Sequence, residues 1–282
     1  MKVLAFGEIL WDVFGTERKI GGAPFNFSAH CARLGAEVDY ITAVGRDEPG
    51  NEALKYIEKY GVSTDFVMRS SLMTGCCNVT LRNGVPDYEL VYPTAYDDIC
   101  ITKEFLDEIS SRDYDYLYCG TLALRGESSR ASLFKICESI DAKLIVDVNI
   151  RQSFYSGKLL DKLFSRACIL KISREELPLA AGCLGFSQEH NSFVSELFGK
   201  YGNLSEILLT LDKDGAVCCL KSGERICSEK PKSKAVSTVG AGDSFTAAYL
   251  VYSSAGLSHE AALNKAVELS DYVVRFHEAI PE

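Results

Sequence analysis

Short apolar runs separated by segments of helical periodicity fill most of the 282-residue chain. The runs at 3–6, 38–44, 116–119, 144–148, 169–172, 207–211 and 216–220 are mostly apolar rather than alternating, the pattern of strands buried on both faces. Between them Leu133, Ile136, Cys137 and Ile140 recur at helical spacing, as do Val194, Leu197, Phe198 and Tyr201. One helix is predicted over 26–34 with Gly35 as its stop, and another over 51–60 with Gly61 as its stop. Strand–helix alternation of this kind predicts a three-layer α/β/α body whose central sheet is mostly parallel.

Residues from about 63 to 98 break the alternation. The stretches Asn-Val-Thr-Leu-Arg at 78–82 and Tyr-Glu-Leu-Val-Tyr at 88–92 alternate in character, and Asn83-Gly84 between them is a hairpin signal. Pro86 suits an edge strand. The segment reads as a small antiparallel β flap, joined by strands near 11–20, or equally as a meander at the sheet edge. No linker, repeat or second domain interrupts the chain, so 1–282 is expected to form a single domain.

Charge narrows the partners. Thirty basic against 39 acidic side chains give a formal charge of -9, which argues against nucleic acid or an anionic membrane as the main partner. An acidic chain that handles an anionic ligand must gather positive potential locally, from helix N-termini, a few Lys or Arg, or a metal ion. The eleven cysteines show no Cys-x-x-Cys spacing, and most lie in apolar runs, as buried reduced thiols do; a cytoplasmic location is expected. Only four histidines are present and none is spaced with a cysteine pair as a zinc site would require. The N-terminus has no signal-peptide layout, and no apolar run is long enough to span a bilayer.

The most informative stretch is Thr238-Val239-Gly240-Ala241-Gly242-Asp243, which leads into a helical stripe of Phe245, Ala248 and Tyr249. Gly240, Ala241 and Gly242 would present bare N–H groups at a helix start, where the helix dipole favours an anion. Asp243 beside that anion site could take a proton from an incoming hydroxyl. Alone, such a turn is more often a plain helix start with a capping Asp.

A second glycine run changes that balance. Gly21-Gly22-Ala23-Pro24-Phe25-Asn26-Phe27-Ser28, followed by Gly35 and Gly45, resembles the N-terminal signature of the PfkB (ribokinase-like) carbohydrate kinases, and the Thr238–Asp243 segment resembles their C-terminal one. Blocks around Asp147–Arg151, Ile169–Leu177 and Leu209–Gly215 look like the family's internal blocks, in order, so the resemblance spans the chain. Gly7–Asp12, Tyr92–Asp97 and Gly120–Arg125 are most similar to fructokinases. The resemblance implies a ribokinase-like fold with a β lid, and ATP-dependent phosphorylation of D-fructose at the 6-hydroxyl with Mg²⁺ and Asp243 as general base. Carried over by position, Asp12, Gly21, Gly22 and Asn26 would bind the sugar, with Gly120 and Arg151 nearby at strand ends. Lys171, Ser173, Thr210, Gly215 and Asn264 would serve the nucleotide, and Glu176 would hold Mg²⁺ through water. Relatives often dimerise through the lid, so a homodimer is a further expectation.

Three departures stand out. Ser237 replaces an Asp that helps bind a monovalent cation in several relatives, which puts K⁺ activation in doubt. Ser173 stands where Asn is common, and Asp212 where Gly is usual, adding negative charge near the expected phosphates. Other PfkB substrates (ribose, a keto-sugar acid, a nucleoside) stay open as alternatives, as does a catalytically silent binding protein.

Overall fold

The chain is described by a computed structural model over residues 1–82 and 85–282; the expected Asn83-Gly84 turn lies outside the described residues. The first half contains β1 (Lys2–Phe6), β2 (Leu10–Phe14), β3 (Glu17–Gly21), α1 (Ala23–Arg33), β4 (Glu37–Gly45), α2 (Glu48–Lys59), β5 (Val67–Ser70), β6 (Gly75–Arg82), β7 (Val85–Leu90), α3 (Lys103–Ser110), β8 (Tyr116–Cys119) and α4 (Glu127–Ser139). The second half contains β9 (Lys143–Asp147), α5 (Gly157–Phe164), β10 (Ile169–Ser173), α6 (Glu176–Leu184), α7 (His190–Lys200), β11 (Glu206–Thr210), β12 (Ala216–Leu220), β13 (Arg225–Cys227), α8 (Ala241–Ser254) and α9 (His259–Val273).

Nine strands make the main sheet in the order β13-β12-β11-β10-β9-β8-β1-β4-β5. Every neighbouring pair from β11 to β5 is parallel, whereas at one edge β12 pairs antiparallel with β11 and β13 antiparallel with β12. The apolar runs are buried because alternate residues feed opposite faces. Leu4 and Phe6 join Ile41, Leu117, Leu133, Leu170 and Leu197 on one face. Val3 and Ala5 join Phe25, Tyr40, Ala248 and Leu263 on the other. Each large side chain buried this way contributes about 1.5–3 kcal/mol. Phe27 of α1 stacks on Tyr118 of β8 with ring centroids 3.7 Å apart, which fixes α1 against the middle of the sheet.

A second, four-stranded sheet has the order β3-β2-β6-β7. Its Leu10, Cys77 and Val79 pack with Tyr96, Leu122 and Ala123, so it stands beside the segment that follows β8. The flap read from the sequence began at about 63, but β5 pairs in parallel with β4 and belongs to the main sheet. The second sheet takes its later strands only from Gly75 onward.

Candidate active site

Two helices that begin at glycine bring their N-termini together. Gly22 caps α1 with φ 113°, and a Cβ there would lie 2.4 Å from the Glu8 carbonyl oxygen. Gly240 caps α8 with φ 78°, and a Cβ there would lie 2.7 Å from Ala279 Cα. Both turns therefore need glycine on two counts, backbone conformation and space. One turn into α1 is Asn26, whose Nδ2 donates to Asp243 Oδ2 of α8 at 2.8 Å. Residues 217 positions apart in sequence, one from each signature, thus touch. The Oδ1 of Asn26 is buried with no hydrogen-bond partner among the described residues, an acceptor waiting for a donor.

Burial pushes the Asp243 carboxyl from its ordinary 3.8 up to about 6. The negative charge of Asp147 adds to the rise, while the Asn26 hydrogen bond, Lys171 and Arg151 oppose it. A carboxylate that binds a proton this readily is a better base than an exposed aspartate and is still mostly ionised at neutral pH. Beneath the turn, Lys171 Nζ would lie 2.8 Å from a Cβ on Gly242, so the missing side chain makes room for an ammonium. Lys171 donates to Asp147 Oδ1 at 3.0 Å. Burial disfavours its charge, but Asp147, Glu176 and Asp243 outweigh burial and hold it protonated.

On the side of the second sheet, Asp12 of β2 lies opposite Cys77 of β6 and Lys19 of β3. Burial lifts its carboxyl to about 6, against a Cys77 hydrogen bond and the Arg151 charge. Gly21 leaves space beside it, since a Cβ there would come within 3.0 Å of Asp12 Oδ2. Glu8, which no motif singled out, is 1% exposed, and its Oε2 has no partner among the described residues. Burial raises its carboxyl to about 7, with repulsion from Asp243 adding and Arg151 opposing. Arg151 is exposed at the end of the β9 connection, and its charge reaches Glu8, Asp12 and Asp243 alike. Gly120 lies at the end of β8, where a Cβ would sit 3.9 Å from the Asn149 side chain.

The residues expected to serve the nucleotide divide into groups. Ser173 and Thr210 are register partners at the ends of β10 and β11. Glu176 Oε2 accepts from Ser173 N at 2.8 Å and its Oε1 from Ile150 N at 2.9 Å. Each of its oxygens keeps a second lone pair, free to accept from the hydration shell of a cation. Gly215 has a structural duty, because a Cβ there would lie 2.5 Å from Ser228 Oγ. Asn264 stands on α9, its Oδ1 accepting from Glu229 N at 2.7 Å beside a cavity of about 590 Å³ bordered by Lys230, Lys265 and Asp271. From there the chain runs along α9, with Lys232 and Ser233 bound to Asp271 and Val236 to Val274, into the Gly240 turn. Asp212, in place of a glycine, has φ 52°, a conformation Asp tolerates better than most residues. Its carboxyl is raised by burial and by the neighbouring Glu175.

Glu8, Asp147 and the buried pair Arg125–Asp97 (Nε to Oδ1, 2.7 Å) belong to no role that the sequence motifs imply. A carboxylate interrupting an apolar run, as Glu8 does between Phe6 and Ile9, was the available signal.

The architecture is that of a ribokinase-like α/β protein, which solved structures of the same fold bear out. Fructokinase with bound ATP from Xylella fastidiosa superposes with a TM-score of 0.85 at 21% identity, covering 99% of this chain and 93% of that one. Aminoimidazole riboside kinase from Salmonella enterica, complexed with aminoimidazole riboside and an ATP analogue, gives 0.83 at 22%, covering 99% and 95%. The chain belongs to the pfkB family of carbohydrate kinases, whose model matches residues 2–281. Among its relatives are an uncharacterized sugar kinase of Archaeoglobus fulgidus, 29% identical over 78% of this chain and 84% of that protein. A probable fructokinase-4 of Arabidopsis thaliana is 26% identical over 95% and 88%. A 5-dehydro-2-deoxygluconokinase of Geobacillus kaustophilus is 24% identical over 88% and 76%.

Proposed function

We propose that this carbohydrate kinase transfers the γ-phosphoryl group of ATP to the 6-hydroxyl of D-fructose, with Asp243 as the base. The hydroxyl oxygen attacks the γ-phosphorus, its proton passes to the Asp243 carboxylate, and the bond from phosphorus to the bridging oxygen breaks to release ADP. The N–H groups of Gly240 and Gly242 would meet the developing charge on the phosphoryl oxygens, backed by the α8 dipole and the Lys171 ammonium below, whereas the Ala241 N–H, expected to be bare, donates to the Thr238 carbonyl at 3.3 Å. Mg²⁺ would be held by the phosphates and, through water, by Glu176, and it neutralises phosphate charge when bound. Asp12 and Asn26 would orient the sugar, and the second sheet would act as a lid that keeps water from competing as acceptor. Adenine would lie toward Asn264.

The observation that carries this reading is the Asn26–Asp243 hydrogen bond, which unites the sugar-side and phosphate-side signatures at one point. Electrostatics favours a neutral polyol over a sugar acid: Glu8, Asp12 and Asp243 share the influence of one exposed guanidinium, Arg151. A substrate carboxylate would enter an already acidic pocket. The fructokinases among the relatives point the same way, whereas the gluconokinase relative keeps sugar acids as the second reading. ADP release measured side by side with fructose, ribose, keto-sugar acids and nucleosides tests the choice. Fructose should give the highest kcat/KM; a higher value for a keto-sugar acid would overturn the substrate, and no turnover with any would overturn catalysis.

A further inference from the structure

At the far end of β11 from Thr210, four side chains from four elements converge. Glu206 opens β11, Cys218 lies in β12, Tyr249 in α8, and His259 opens α9. The Tyr249 hydroxyl donates to Glu206 Oε2 at 2.6 Å and lies 2.9 Å from His259 Nδ1 and 3.3 Å from Cys218 Sγ. The carboxylate oxygen, thiol sulfur and ring nitrogen all lie within 4.8 Å of one another, with Glu206 Oε2 and His259 Nδ1 3.9 Å apart. Cys218 and Tyr249 are buried, while Glu206 and His259 keep 20% and 38% side-chain exposure, leaving a way in from solvent.

We propose that this cluster is a site for zinc or a similar borderline-soft divalent cation, with Cys218, His259 and Glu206 as ligands, water in the fourth position, and the Tyr249 hydroxyl, still protonated, holding the Glu206 carboxylate by its hydrogen bond. A tetrahedral zinc ion with bonds of about 2.0–2.3 Å sets its donors about 3.2–3.8 Å apart. The Glu206–His259 spacing of 3.9 Å lies just above that range and the other two pairs are within 4.8 Å, so small inward side-chain rotations close the shell around an ion. The donor set of one thiol, one imidazole and one carboxylate suits zinc and is a poor match for Mg²⁺, which prefers an all-oxygen octahedron. Metal uptake expels the Cys218 thiol proton to solvent, so the site fills more readily as pH rises.

The site is separate from the reaction. Glu206 is four residues before Thr210, roughly 13 Å along an extended strand. Tyr249 is six residues beyond Asp243, about 9 Å along α8. A bound ion would tie β11, β12, α8 and α9 together at the end opposite the glycine turn and stabilise the helix that carries Asp243. The chain's sequence hides the site, because no two of its ligands come at a recognisable spacing.

The test uses the full chain and the metal alone. Wild type, Cys218→Ser, His259→Gln and the neighbouring control Cys219→Ser are each stripped with chelator and titrated with Co²⁺, then with Zn²⁺. Wild type and the Cys219 variant should take up one equivalent, show a thiolate-to-cobalt charge-transfer band with tetrahedral d–d absorption, and gain thermal stability with zinc. Cys218→Ser should lose the charge-transfer band, and His259→Gln should bind at least about tenfold more weakly. His259 opens a helix at the surface, so that variant folds even if the buried serine does not. No thiolate band in the wild type, or a band and affinity unchanged in the Cys218 and His259 variants, would show a hydrogen-bonded cluster only and overturn the proposal.

Discussion

Replacing Glu8 by Gln tests whether the acidic pocket is organised as described. Glu8 is 1% exposed, and its carboxyl is raised from 4.5 to about 7. The folded chain therefore holds this proton more tightly than the unfolded chain does. Stability from Glu8 is fully present below about pH 4.5 and is lost as pH rises through about 7. At about 1.4 kcal/mol per tenfold change in affinity, the full loss is about 3 kcal/mol, and about 2 kcal/mol of it falls between pH 5.5 and 8. Gln cannot ionise, so it removes the slope. Its amide N–H₂ also lacks an acceptor where Oε2 now sits, a penalty of about 1–3 kcal/mol that does not vary with pH. The slope, not the absolute stability, is thus the readout. Urea unfolding of both proteins at pH 5.5 and 8 should show the variant gaining about 2 kcal/mol on the wild type across that interval. Parallel stability profiles for the two proteins would refute the reasoning.

Other consequences follow from single residues. Asp212→Gly relieves the positive φ of 52° and removes a negative charge beside the expected phosphates; the KM for ATP should fall by about fivefold or less, the equivalent of about 1 kcal/mol, with the sugar KM unchanged. Initial-rate kinetics with each substrate varied in turn decides it. Arg125→Leu strands the carboxylate of Asp97, both partners being 3% exposed, and should cost about 3–5 kcal/mol in urea unfolding. Adding Asp97→Asn should recover a good part of that loss, because the buried charge is then gone.

Much of this was legible in the amino-acid sequence, for physical reasons that also mark where legibility ended. The strands of the parallel body are read correctly because burial on both faces demands unbroken apolar runs such as Val3–Phe6 and Leu144–Val146. Strand direction leaves no such trace, and Ala216–Leu220 reads like its neighbours although it runs antiparallel. Val67–Ser70, with Val-Met-Arg-Ser at a half-covered edge, offers too little hydrophobic pattern to separate it from the flap that follows. At the site, Gly22 and Gly240 betray themselves because no side chain fits there, and they locate Asn26 and Asp243 by proximity in sequence. Glu8 and Asp147 act through burial and through neighbours distant in the chain, which composition and spacing do not report.

The most direct test of the central claim is Asp243→Asn, with turnover and ligand binding measured on the same preparation. Asn keeps the size of the side chain and its contact with Asn26 but cannot accept the sugar's proton. We predict that kcat falls by about 10²–10⁴-fold, the usual worth of a general base, while calorimetric affinities for ATP and sugar change little. The acid limb near pH 6, set by Asp243, should vanish from the residual activity. Turnover within a few-fold of wild type, with that limb still present, would contradict the assignment of Asp243 as the base.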